Sequence, residues 1–140
     1  MQIRPTAIEL LRGVEAFLSE EAVPLLDGPA QFHARVAANA VRIVVRGLEA
    51  EAGDLRAEGE ALAALLGRTE PMPADGEALR REVAGMNQRL AEMIRAGEAD
   101  AEPTRGRLIE HLKAVTLRAL EVNNPKMAEA IRRQWGEPSG

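Results

Sequence analysis

The sequence predicts an all-α protein: a single-domain helical bundle of four long helices and two short ones over residues 1–140. Three observations carry that reading. Apolar residues recur at helical spacing in each long segment, and no segment reads as a strand. The only aromatics are Phe17, Phe32 and Trp135, so the core is left to Leu, Ile, Val, Met and abundant Ala, the last being the strongest helix former. Turn chemistry at Asp27-Gly28-Pro29, in the 67–75 stretch, at Gly97 and at Asn123-Asn124-Pro125 divides the chain into helix-length pieces.

Helix one begins at Thr6, where T-A-I-E offers a capping box between Thr6 and Glu9. Ile8, Leu11, Val14 and Leu18 form its apolar stripe, widened by Phe17. Pro24 lacks an N–H and ends or kinks this helix, and Leu25 and Leu26 follow as a core anchor. Pro29 suits a first helical position, and helix two runs from there to about Ala52 with Gly53 as its cap.

A short helix three spans about 56–66, with Leu62, Leu65 and Leu66 inward and Gly67 stopping it. Residues 67–75 hold two prolines and little apolar surface, and are expected to form a flexible loop. Asp75 caps helix four, whose Leu79, Val83, Met86, Leu90 and then Met93 or Ile94 follow a coiled-coil-like spacing. Two heptads are too few for a free coiled coil, so the stripe is expected to pack within the bundle or across a dimer. Gly97 stops it, and the acidic EADAEPT that follows is expected to be exposed. Helix five starts near Thr104 and carries Leu108, Leu112, Val115 and Ala119. Asn124 caps helix six and Pro125 opens it; Met127, Ile131 and Trp135 step along it, and the tail 136–140 is expected to fray.

Composition narrows function by exclusion. A net charge of −4 argues against general nucleic-acid binding, which needs a basic face. Without cysteine there is no disulfide, iron–sulfur or zinc-thiolate chemistry. The N-terminal segment is interrupted by Glu9, Arg12 and Glu15, so it has no secretory core, and no apolar run approaches the ~20 residues of a membrane span. The chain is therefore expected to be soluble and cytoplasmic, without membrane or nucleic-acid partners.

The catalytic inventory is thin. Tyr is absent, Ser occurs only at 19 and 139, and Lys113 and Lys126 stand outside any phosphate-binding motif. No two glycines are spaced for a dinucleotide fingerprint. Neither His33 nor His111 has the Glu-x-x-His or His-Glu-x-x-His spacing of a helical metal site. No catalytic residue, cofactor or metal is expected, and the reading leans away from an enzyme.

One segment keeps a functional question open: QFHARVAANAVRIVVRG, residues 31–47. Turning about 100° per residue places Phe32, Val36, Ala40, Ile43 and Gly47 on one arc, the expected core face. His33 lies beside that arc, and Asn39 lies at its seam with the stripe of Arg35, Arg42 and Arg46. Two accounts stand. His33 and Asn39 are half-buried groups satisfied by neighbouring backbone, or His33, Arg35 and Asn39 line a pocket for an anion, with Arg35 as a bidentate clamp. Arg42 and Arg46 are expected to pair with nearby acids, and Gly47 to mark a tight helix crossing.

The stretches ELLRGVEAFLSEEAVPLL, FHARVAANAVRIVVRGLE, ALAALLG, NQRLAEMIRAGE and HLKAVTLRALEVNNP, in that order and spacing, resemble a bacterial family of small helical domains of unknown function. The resemblance covers most of residues 5–125. It implies genes often encoded beside aminoglycoside-phosphotransferase-like kinases and acyl-CoA dehydrogenases, and brings no catalytic residues with it. The expectation is a non-catalytic accessory protein, either a homodimer or the partner of a kinase-like phosphotransferase or an enzyme of acyl-CoA metabolism. The alternative is a binding protein or minimal enzyme for an acyl or anionic ligand at His33, Arg35 and Asn39.

Overall fold

The computed structural model describes residues 4–136, and every regular element among them is helical. In order they are α1 (Ala7–Ala16), a π-helical turn (Phe17–Ala22), α2 (Val23–Leu25), α3 (Gly28–Leu65), α4 (Gly76–Arg95), α5 (Thr104–Asn123) and α6 (Pro125–Trp135). Because α1, the π turn and α2 run on without a break, these make five helical rods.

The local signals at the helix starts are met. Thr6 Oγ1 accepts from the Glu9 N–H (3.2 Å) while Glu9 Oε2 accepts from the Thr6 N–H (2.7 Å), completing the capping box. Asp75 caps α4 through the Ala78 N–H (2.8 Å), and Asn124 caps α6 through the Met127 N–H (3.2 Å). Gly67 and Gly97, each at a left-handed φ that other residues rarely adopt, follow the ends of α3 and α4.

Two readings are corrected. Pro24 does not end the first helix; the chain stays helical to Leu25. Proline has no N–H for the carbonyl a turn earlier, and the turn just before it widens to π geometry, which takes up the misfit. The expected break at Gly53 is absent as well, so helices two and three are one 38-residue rod. An interior glycine costs only about 1 kcal/mol.

The chain's contacts divide it into two compact units, residues 1–50 and 51–140. In the first, α1, the π turn and α2 lie antiparallel to the first part of α3, joined by Arg12–Glu49 and Glu15–Arg42 pairs. Its most buried apolar residues are Ala34, Ala38 and Val45, with Leu11, Leu18, Val41 and Ile43 half-buried beside them. This overturns the expected core face of residues 31–47: Phe32 is 62 % exposed and Val36 50 %, and Ala40 is exposed too. The segment is apolar on most sides, and the partner helix took the small-residue side, where backbones come closest.

The second unit holds the larger core. Leu62 and Ala63 of α3 meet Leu79, Val83, Met86 and Leu90 of α4, with Leu55, Met72 and Leu108 packed around them. The heptad-like stripe of α4 is therefore spent inside this unit. Gly59 permits the approach: a Cβ there would lie 2.8 Å from Met72 Cε and 3.1 Å from Val83 Cγ2. The connection expected to be flexible carries anchors. Arg68 pairs with Glu82, Arg56 donates to the Pro73 carbonyl (3.0 Å), and Met72 reaches the core. At the far end α6 packs on α5, with an Arg132–Glu121 pair and Lys113 Nζ 5.6 Å from the Trp135 ring centre. Residues 137–140 of the tail lie outside the described residues.

Candidate functional site

In the first unit the side chains sort onto two opposite sides of the helix pair. One side is an ionic ridge. Arg42 Nε donates to Glu15 Oε1 (3.0 Å), Arg42 Nη2 donates to Ser19 Oγ (3.0 Å), and Ser19 donates to Glu15 (2.7 Å). Arg12 pairs with Glu49 one turn further along. The Ser19 hydroxyl and then the Arg42 guanidinium hold the Glu15 carboxyl below its ordinary pKa.

The three residues expected to share an anion site are not brought together. Arg35 lines a cavity of about 320 Å³ with Ser19, Val23 and Arg42. His33 and Asn39 are exposed and line no part of it. The reason is helical: a two-residue step turns about 200°, so Arg35 on the ridge side leaves His33 on the other flank. There His33 meets Phe32 edge-on, with ring centres 5.6 Å apart.

The flank opposite the ridge is apolar. On α1 it exposes Leu10 (57 %) and Val14 (48 %), followed by Phe17 (55 %) at the start of the π turn. On α3 it exposes Val44 and Leu48, while Val36 and Phe32 are exposed on the back of the helix, away from α1. The ion pairs fix the register: Arg12 opposite Glu49 and Glu15 opposite Arg42 set Leu10 level with Leu48 and Val14 level with Val44. Between Phe32 and Leu48 this arc of α3 holds Val36, Ala37, Ala40, Ile43, Val44 and Gly47, and His33 is its one polar member.

The second unit has a different feature. An open groove of about 780 Å³ runs between α3 and α5, floored by Ala61, Ala64, Leu65, Gly106 and Ala114, with His111 in its wall. His111 is 7 % exposed, and burial pushes its imidazole below the usual pKa; Glu58 opposes that shift and Arg118 adds to it. His111 Nδ1 and Arg118 Nη2 are buried without a hydrogen-bond partner among the described residues. Glu58 itself accepts from Asn87 Nδ2 of α4 (2.7 Å). The sequence gives no sign that His111 is buried, because helical spacing marks a face without saying what covers it.

Among the described residues no three His, Cys, Asp or Glu side chains gather as metal ligands, and no helix is long and apolar enough to cross a membrane. A family model, described as a domain of unknown function (DUF6285), matches residues 24–127. The chain belongs to the DUF6285 family. The matched range takes in α3, α4 and α5 and the groove between α3 and α5, whereas α1 lies before it. Nothing among the curated proteins or the solved structures matches this DUF6285 chain.

Proposed function

We propose that this chain is a non-catalytic accessory protein of the bacterial cytoplasm, one that acts by docking rather than by chemistry. The observation that carries the reading is the exposed apolar surface of the first unit: Leu10, Val14, Phe17, Val44 and Leu48 on one flank, with Phe32 and Val36 on the back of α3, face outward while Ala34 and Ala38 are buried. Contiguous apolar patches beyond a few hundred Å² mark interaction surfaces. The thin catalytic inventory agrees with it.

The enzyme it serves is a phosphotransferase-like kinase or an acyl-CoA-metabolising enzyme, the gene neighbours that the sequence resemblance implies. Co-expression of the full chain with each neighbour tests this. A complex that survives gel filtration supports it. A chain that is retained by neither enzyme and is monomeric at micromolar concentration overturns it.

The groove beside His111 favours a second reading, a small-molecule binding protein. Its volume of about 780 Å³ is in the range of ligand sites, and Arg107, which lines it together with Glu110, supplies a cation for an acyl or other anionic ligand. A thermal-shift screen against acyl-CoAs, nucleotides and dicarboxylates decides this reading, since a ligand that binds the folded state alone raises the melting temperature.

A further inference from the structure

We propose that the groove between α3 and α5 binds a medium-chain carboxylate, its head group held by Arg107 and His111 and its alkyl chain laid over Ala61, Ala64, Leu65 and Ala114. The inference rests on the small-molecule reading above and names the class of ligand.

Three observations argue for that class. The first is the unequal lining. Ala61, Ala64 and Leu65 of α3 and Ala114 of α5 make an alkyl floor, whereas the polar side chains Arg107, Glu110 and His111 fall within about one turn of α5. Such a floor takes hydrocarbon, and a few placed polar groups orient it. A ligand that matches both is apolar along its body and polar at one end. From Arg107 to Ala114 the wall rises about 10 Å, the scale of octanoate.

The second is charge. Glu110 is engaged by Lys113 (2.9 Å), whereas Arg107 has no ion pair among the described residues. The uncompensated charge on the groove is therefore positive, and a carboxylate fits a guanidinium through two parallel hydrogen bonds.

The third is His111, 7 % exposed and yet part of the groove wall. Burial favours its neutral form, which carries one ring hydrogen. Nδ1 is enclosed with no acceptor among the described residues, so we assign that hydrogen to Nε2, the nitrogen left open on the groove side. Arg107 and His111 stand one turn apart on α5, about 5–6 Å between Cβ atoms, so one carboxylate spans both donors.

Calorimetric titration of the full chain at neutral pH tests this with sodium octanoate, octanol and acetate. Octanoate is expected to bind about tenfold or more tightly than either of the others, which lack the charge or the chain. Arg107→Ala, at an exposed position, is expected to remove that advantage over octanol. Ala114→Leu fills the floor and is expected to abolish binding of both. In nitrogen NMR the His111 Nε2 signal is expected to move on saturation with octanoate, while that of His33 stays.

Octanol binding as tightly as octanoate overturns the proposal, and so does an octanoate affinity that Arg107→Ala or Ala114→Leu leaves unchanged, or a His111 signal that does not move. Should Ala114→Leu lose helix content, the Arg107→Ala comparison and the His111 signal decide. If octanoate fails while another compound of the thermal-shift screen binds and moves the His111 signal, this proposal ends and the small-molecule reading stands. If no compound does so, both end together.

Discussion

His111 is the residue whose surroundings depart furthest from its sequence context. A helical histidine between Glu110 and Leu112 carries no mark of burial, and only the approach of α3, with Glu58, encloses it. Its lowered pKa has a direct consequence for stability. In the folded chain the imidazole stays neutral as pH falls below its ordinary 6.5, while in the unfolded chain it takes up a proton. The unfolded state therefore binds more protons, and stability falls with pH from about 6.5 down to the lowered folded-state value. Urea denaturation across pH 7 to 5 is expected to show that fall, and His111→Gln is expected to remove this residue's part of the slope. Gly53 is the opposite case, an interior helical glycine with nothing within 4 Å of where a Cβ would stand. Gly53→Ala is expected to raise unfolding free energy by up to about 1 kcal/mol.

At the scale of elements, the helix starts and the α4 stripe were legible because both are local. A cap needs an oxygen within three residues of its N–H, and a stripe needs only the helical period. Thr6 with Glu9, Asp75 and Asn124 behave accordingly, and Leu79, Val83, Met86 and Leu90 are all buried. Shortening Leu90 to Ala is expected to cost about 2–5 kcal/mol, read as a lowered urea midpoint with an unchanged slope. Asn124→Ala is expected to cost about 1 kcal/mol by uncapping α6. Continuity of α3 was not legible, since Gly53 offers a helix stop that its neighbours overrule. Nor was the buried side of residues 31–47. That segment is apolar over more than half its circumference, so its period names several candidate faces.

For the whole molecule, anything that binds only the folded chain stabilises it by mass action. An anionic ligand in the groove of about 780 Å³ beside His111 is expected to raise the melting temperature as its concentration rises. Arg107→Ala is expected to flatten that rise, and calorimetry across a hundredfold range of ligand concentration reads both outcomes.

By itself the sequence determined the helical class, the caps, the α4 stripe and the absence of familiar catalytic and metal motifs, all properties of residues a few positions apart. The tertiary structure decided which face of α3 is covered in the first unit, which histidine is buried, and that Arg35 stands apart from His33. Those depend on which helix arrives on which side. An antiparallel helix settled on Ala34, Ala38 and Val45 because small side chains admit the closest approach, and ion pairs at Glu15 and Glu49 locked it there. Phe32, Val36, Val44 and Leu48 were left facing out.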